Sequence, residues 1–179
     1  MIRRKFATGL IAVLAALSAC GPDKAETRRN VEQLMASEIT LPEACGHGKY
    51  YIVRFIRPRS CTSCELEMGK WRVYKRRLQN RHDDVRFYFV IETKNVGDAE
   101  NLISIYKFAD DSFVDTCAAF IKENPLVGKF GNELVMLMDS TRAVMAVGDP
   151  VNNPEAYDLF ERLISSGSTR DTYERSGSR

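Results

Sequence analysis

The sequence predicts an α/β fold of three layers, in which helices cover both faces of a central mixed sheet. Two almost purely apolar runs, 50–56 and 85–91, have the length and composition of strands that are buried on both faces. Segments with a helical distribution of apolar residues follow each run, which is the alternation expected of parallel βαβ units. A later apolar pair, 134–138 and 143–147, has the pattern of a hairpin and predicts an antiparallel edge.

The first strand, at 50–56, leads through a short basic turn into Cys61-Thr62-Ser63-Cys64. The next segment, 68–78, places apolar residues as on one face of a helix, with basic residues between them. We interpret the basic residues as a solvated helix face, because no glycine-rich loop is present that could cradle a phosphate.

The remaining elements follow from local signals. After the strand at 85–91 we expect a helix at 95–107, a short strand at 113–114 and a helix at 115–124 capped by Asp115 or Thr116.

The sequence also predicts the last two elements of the domain, a hairpin and a helix. The apolar hairpin turns at residues 139–142. A last helix is predicted at 155–164, with Asn153 as its N-cap and Pro154 at its first position.

The pair Cys61 and Cys64 is the main candidate for chemistry. A Cys-x-x-Cys that follows a strand and enters a helix is typical of a redox site. We expect Cys61 to be the exposed nucleophile, because the first turn of a helix and the nearby Arg57 and Arg59 stabilise a thiolate. Cys64, one turn later, would resolve the mixed disulfide. The alternative is a stable structural disulfide without turnover.

The N-terminal segment predicts export. Residues 1–19 combine a basic start with a short apolar run, as in a signal peptide, and Leu17-Ser18-Ala19-Cys20 resembles the lipobox of bacterial lipoproteins. That resemblance implies cleavage before Cys20 and lipid attachment to its sulfur, with stable anchoring to a membrane. We expect residues 20–41 to form an anchor and tether, although 30–37 could be a helix or a strand.

The folded domain is expected at 42–165, and the polar residues 166–179 predict a disordered tail. The chain has a net charge of +2, and removal of the three basic residues of the leader would leave about −1. Such a balance gives no general attraction to nucleic acid.

Two further cysteines stay open at this point. Cys45 and Cys117 could be buried free thiols, a second disulfide or auxiliary redox cysteines, and no spacing rule decides between these roles. A metal site is the rival chemistry, since Cys45, His47, Cys61 and Cys64 have the ligand types of a zinc or copper site. Covalent haem is disfavoured because no histidine follows Cys64. We expect no cofactor.

The chain resembles the thioredoxin-like redoxins that a lipid tethers to the bacterial envelope. The resemblance covers residues 49–164 and is carried by the first strand with its Cys-Thr-Ser-Cys, by 115–120 with the helix after it, and by the hairpin LVMLMDSTRAVMAVGDP. It implies the thioredoxin fold and thiol–disulfide exchange, with Cys61 and Cys64 at the nucleophile and resolving positions.

Three positions differ from the pattern of that family. Ser60 stands where tryptophan is usual, and Asn132-Glu133 stands where a cis-proline is usual. The strand at 50–56 lacks the buried carboxylate that thioredoxin uses as a proton acceptor for the resolving cysteine. Glu133 is a candidate for a related electrostatic part.

The sequence therefore predicts a lipid-anchored thiol–disulfide oxidoreductase that faces the periplasm or the cell surface. Its partners would be dithiols or disulfides of envelope proteins, in a redox direction that the sequence leaves open. The alternative from another class is a non-catalytic binding module of the same fold, which presents the groove near Cys61 and Glu133 to a protein partner.

Overall fold

The structure is a computed structural model and describes residues 24–42 and 46–167. Its strands are β1 (Tyr50–Ile56), β2 (Val85–Glu92), β3 (Ser112–Asp115), β4 (Glu133–Asp139) and β5 (Val144–Val147). They form one sheet in the order β3-β2-β1-β4-β5. Strands β1, β2 and β3 run parallel, whereas β4 is antiparallel to both β1 and β5. The expected mixed sheet with an antiparallel hairpin edge is confirmed.

Helices cover both faces of this sheet. They are α1 (Lys24–Met35), α2 (Thr62–Leu66), α3 (Met68–Gln79), α4 (Val96–Tyr106), α5 (Ala119–Glu123) and α6 (Pro154–Ser165). Apolar side chains of α3, α4 and α6 share one core cluster with the sheet, and those of α1 and α5 share a second cluster on the other face. The three layers expected from the sequence are therefore present.

Strand β1 lies at the centre and contributes to both clusters. Ile52 and Ile56 belong to the cluster with α3, while Val53 and Phe55 belong to the cluster with α5. All seven residues of β1 are buried. Because successive side chains of a strand point to opposite faces, a strand covered on both sides needs apolar residues at nearly every position.

Part of the segment for which we expected a tether is folded onto the domain. Helix α1 buries Val31 and Leu34, and Ile39 and Leu41 after it are also buried. Glu38 forms a bridge with Ala143 beside the hairpin. A spacing of three residues puts Val31 and Leu34 on one face of the helix, which is enough to dock it although the rest of its surface is polar.

The predicted leader 1–19, Cys20 and residues 168–179 lie outside the described residues. Within the described ranges, no helix combines the length and the apolar character needed to cross a membrane.

Helix α6 begins as predicted. The Asn153 side chain accepts hydrogen bonds from the N–H groups of Glu155 at 2.8 Å and Ala156 at 3.2 Å, and Pro154 is the first helical residue. These contacts satisfy backbone donors that have no partner inside the helix.

Helix α5 begins later than expected, at Ala119, because Ala118 has a left-handed backbone with φ 56°. The predicted capping residue Asp115 nevertheless reaches the helix. Its carboxylate accepts from the N–H groups of Ala119 at 3.0 Å and Phe120 at 2.8 Å.

Candidate functional site

Cys61 and Cys64 lie at the carboxyl end of β1, where the chain turns into α2. The two residues form a disulfide across one turn, with their Cα atoms 5.3 Å apart. Cys61 is the N-cap of α2, with an extended backbone at φ −107° and ψ 101°. The pairing expected from the spacing is therefore present.

Two polar groups contact the sulfur of Cys61. The N–H of Cys64 donates to Sγ at 3.3 Å, and the hydroxyl of Ser63 lies 3.4 Å from it. Hydrogen-bond donors of this kind stabilise a thiolate more than a thiol. We expected Cys61 to be the exposed cysteine, but it is half-buried and Cys64 is the more exposed. The N-cap position, rather than exposure, distinguishes Cys61.

A carboxylate within α2 holds the loop before Cys61. Glu65 accepts hydrogen bonds from the backbone N–H groups of Arg59 at 2.9 Å and Ser60 at 2.9 Å, and from the Ser60 hydroxyl at 3.1 Å. The donors of Ser60 and Arg59 lower the pKa of Glu65 below its ordinary value. The loop is thus fastened to the helix that it enters.

The two arginines before Cys61 differ in how far a partner compensates their positive charge. Arg57 makes a bidentate ion pair with Glu92, at 2.7 and 2.9 Å. The Arg59 guanidinium faces the side-chain amide of Asn132. Arg59 therefore keeps its full charge beside the loop, whereas the charge of Arg57 is compensated.

Cys117 is an exposed free thiol in the loop after β3. Asp115 accepts from its backbone N–H at 3.1 Å and contacts its sulfur at 3.7 Å. Burial raises the pKa of Asp115, but the N–H donors of Phe120, Ala119 and Cys117 outweigh this effect, and the pKa is lowered. Of the roles left open for Cys117, a buried thiol and a disulfide with another described cysteine do not apply.

A groove of about 620 Å³ separates the Cys117 loop from the loop that precedes Cys61. Its walls come from the segments that follow β1, β2 and β3, so it lies at the carboxyl ends of three parallel strands. That is the edge where ligands commonly bind in open α/β sheets. Thr62, within the Cys-x-x-Cys, and Cys117 both line it.

Glu133 begins β4 opposite Ile56, at the end of β1 that leads to Cys61. Its carboxylate pairs with the guanidinium of Arg54, at 2.6 Å to Nη2 and 2.7 Å to Nε. Burial raises the pKa of Glu133 above its ordinary value, and the attraction of Arg54 offsets only part of this rise. Glu133 thus lies at the start of the hairpin and has a buried cationic partner.

The four residues considered as metal ligands are only partly described. His47 is exposed, and Cys45 lies outside the described residues. Within residues 24–42 and 46–167, no three His, Cys, Asp or Glu side chains are grouped so that they could hold a metal ion.

Sequence reasoning missed two residues of this site. Arg54 was passed over as one position of an apolar strand, although a charged residue in a strand buried on both faces must have a compensating partner. Glu65 was treated only as a charge in the first turn of a helix. Its position in the first turn of α2 was the available signal, because an acidic residue there can accept from backbone N–H groups at the start of the helix.

No family model and no curated protein match the chain. Solved structures match it at low sequence identity. One is a thiol:disulfide interchange protein from a Bacteroides species, with 16% identity and a TM-score of 0.51 over 66% of this chain and 74% of that chain. A second, from Bacteroides vulgatus and provisionally assigned as a thiol-disulfide oxidoreductase, has 17% identity and a TM-score of 0.52 over 73% and 89%. A third is a thioredoxin-like protein in its oxidised form, with 14% identity and a TM-score of 0.52 over 73% and 86%.

These similarities, together with the strand order and the helix layers, show that the chain has the thioredoxin fold. The fold expected from the sequence is confirmed.

Proposed function

We propose that the protein is a thiol–disulfide oxidoreductase that uses the Cys61–Cys64 pair. One observation carries the proposal: the two cysteines are joined across a single helical turn at the end of a strand, and Cys61 is the N-cap. A disulfide that closes so short a ring constrains little of the unfolded chain, so a purely stabilising role would contribute little. Cys64 is also exposed and Cys61 is only half-buried, so a partner can reach the pair.

The exchange proceeds in two steps. In the reducing direction, the Cys61 thiolate attacks one sulfur of a substrate disulfide, forms a mixed disulfide and releases the other sulfur as a thiolate. Cys64 then loses its proton and attacks the Cys61 sulfur, which reforms the Cys61–Cys64 bond and releases the second substrate thiol. Two electrons pass from the protein dithiol to the substrate. The oxidising direction is the same path reversed.

The N–H of Cys64 supports the first step. It donates to Cys61 Sγ at 3.3 Å in the disulfide state, and the same donor stabilises negative charge on that sulfur after reduction. Because the thiolate is the nucleophile, this contact favours Cys61 as the attacking residue. Cys64 lacks an equivalent position at the cap.

The substrates that fit this arrangement are disulfides or dithiols of proteins. The groove beside the Cys-x-x-Cys loop is open and polar, which suits a peptide segment better than a small apolar ligand. The names of the similar structures, thiol:disulfide interchange protein and thiol-disulfide oxidoreductase, agree with this class. No cofactor enters the proposed chemistry.

The proposed location is the bacterial cell envelope, with a lipid on Cys20 and the domain facing the periplasm or the cell surface. The support is the leader pattern of residues 1–20, and disulfide chemistry is characteristic of oxidising compartments. Mass spectrometry of the protein purified from bacterial membranes tests the anchor. Acyl chains on an N-terminal Cys20 are expected, and an intact leader would contradict the anchor.

The function is tested by trapping the intermediate. Cys64→Ser should leave Cys61 able to attack but unable to be released, so a mixed disulfide with a disulfide-bearing peptide should accumulate. The matched variant Cys61→Ser should give none. Equal trapping by both variants, or by neither while the wild-type protein is natively folded, would refute the assignment of Cys61 as the nucleophile.

A further inference from the structure

Arg54 is a buried cation in the centre of β1. Its side chain is 1% exposed, and its neighbours on the same face of the strand, Ile52 and Ile56, belong to the apolar core. A guanidinium that is removed from water at such a place is costly unless ion pairing and hydrogen bonds compensate it. Its contacts therefore indicate what it does.

Three groups compensate the buried charge of Arg54, and two of them are backbone carbonyls of α2, the helix that contains Cys64. Nη1 donates to the carbonyl of Leu66, and Nη2 donates to the carbonyl of Glu65 at 2.9 Å. Glu133 supplies the opposite charge. The guanidinium also lies 5.2 Å from the centre of the Trp71 ring, on the helix that follows. The cation thus connects β1, β4, α2 and α3.

The contacts with Glu65 and Leu66 matter because α2 is short. A helix of five residues does not hold its shape alone, and its last carbonyls have no partner within the helix. The helix ends at Glu67, whose backbone is left-handed with φ 46°, so α3 does not continue its hydrogen bonds. Arg54 donates hydrogen bonds to the carbonyls of Glu65 and Leu66 at this end of the helix. Helix α2 is therefore fixed at its far end by Arg54 and at its near end by Glu65.

The charge of the pair is placed to act on the cysteines. Glu65, whose carbonyl accepts from Arg54, directly follows Cys64 in the chain. The positive charge of Arg54 favours a thiolate, and the negative charge of the Glu133 carboxylate opposes this effect. The Glu133 side chain is 42% exposed, so a change of its charge alters the field without breaking the apolar core.

We propose that Arg54 and Glu133 are positioning residues of the redox site: Arg54 fixes α2, and the balance between its charge and that of Glu133 sets how readily the Cys61–Cys64 disulfide is reduced. This inference rests on the proposed function. It assigns a role to an ion pair that contacts α2. Arg54 lies on β1, the strand that lacks the buried carboxylate usual in thioredoxin.

The effect of the Glu133 charge follows from the chemistry of disulfide reduction. Reduction adds two electrons and two protons to the disulfide, and two glutathione thiols supply them while they are oxidised to glutathione disulfide. When one of the new protein thiols releases its proton to water, the thiolate is stabilised by net positive charge nearby. Removal of the Glu133 charge should therefore favour the dithiol form.

The test compares Glu133→Gln with the wild-type protein in glutathione buffers at pH 7. The variant removes one negative charge and keeps a hydrogen-bond acceptor for Arg54. We expect the equilibrium constant to shift toward the dithiol by roughly tenfold, which corresponds to about 30 mV for two electrons. The pKa of the Cys61 thiol, followed by thiolate absorbance, should fall in parallel.

Glu161→Gln is the matched control. It also breaks an arginine–glutamate pair, with Arg81, but at the opposite end of α3 from the cysteines. We expect less than a twofold change. If Glu133→Gln shifts the equilibrium no more than this control, or shifts it toward the disulfide, the electrostatic role of the pair is wrong.

A second measurement examines the positioning role and does not depend on redox activity. Arg54→Lys keeps the charge but loses the fork that binds two carbonyls. Amide hydrogen exchange in α2 should become about tenfold faster, while exchange in α6 stays unchanged; Arg57→Lys serves as the control. Unchanged exchange in α2 would overturn the positioning role. A wild-type pair that glutathione cannot reduce in the native protein would instead refute the proposed function, and the exchange experiment would still decide whether Arg54 fixes the helix.

Discussion

The substitution Asp115→Asn should destabilise the protein although it changes only one atom of the side chain. The Asp115 carboxylate is buried, and each of its oxygens accepts from the backbone: Oδ1 from Cys117 at 3.1 Å and Ala119 at 3.0 Å, Oδ2 from Phe120 at 2.8 Å. An asparagine has one oxygen, so its NH2 group must face an N–H donor. Loss of one charge-assisted bond with an unsatisfied donor costs about 2 kcal/mol.

Urea denaturation at pH 7 measures this loss. With a slope of about 2 kcal/mol per molar urea, the midpoint should fall by roughly 1 M. The control is Asp110→Asn, an exposed residue of the turn before β3, which should change stability by less than about 0.5 kcal/mol. If Asp115→Asn is as stable as this control, the carboxylate does not hold the loop as described.

The pH dependence of the stability is an independent test of the role of the Asp115 carboxylate. Since the pKa of Asp115 is lowered in the folded protein from its ordinary value of 3.8, its contribution is fully present above that value. It is lost as the pH falls through the lowered pKa of the folded state. The stability difference between wild type and Asp115→Asn should therefore be constant near neutrality and shrink below pH 3.8. A difference that grows on acidification would contradict the assignment.

Three further outcomes are expected. Trp71→Ala should lower the free energy of unfolding in urea by about 3–5 kcal/mol, because the ring is fully buried beside Arg54, whereas Val73→Ala on the exposed side of α3 should change it by less than about 0.5 kcal/mol. Asn153→Ala should cost about 1 kcal/mol through loss of the α6 cap, measured by thermal unfolding. Glu65→Ala should speed the reduction of the disulfide by glutathione severalfold, since the loop before Cys61 loses its anchor; an unchanged rate in thiol-trapping assays would show that the Glu65 contacts do not limit access to the disulfide.

The fold was predictable because its elements carry strong local signals. Strand β1 has seven buried residues in a row, and Asn153-Pro154 marks the start of α6 without reference to the rest of the chain. The Cys61–Cys64 pair was predictable for the same reason, since its spacing fixes its geometry. Signals of this kind depend on neighbours in sequence.

The contacts that complete the site depend instead on tertiary structure. Arg54 meets Glu133, which is 79 residues away in sequence, and no local pattern indicates that pairing. Helix α1 has few apolar residues, and only its docking against the sheet and the turn Val127–Phe130 shows why it is folded. The expectation that Cys61 is the more exposed cysteine was wrong, because burial depends on tertiary packing and not on the spacing of the two cysteines.

The reduction potential of the Cys61–Cys64 pair tests the central proposal most directly. The wild-type protein would be equilibrated in glutathione buffers, and peptide mass spectrometry after thiol trapping would separate this pair from Cys45 and Cys117. The account predicts reversible reduction of the native protein, with a potential between about −270 mV, as in thioredoxin, and about −120 mV, as in a strong oxidant. A pair that is reduced only when the protein unfolds would show that the disulfide is structural and would contradict the proposed function.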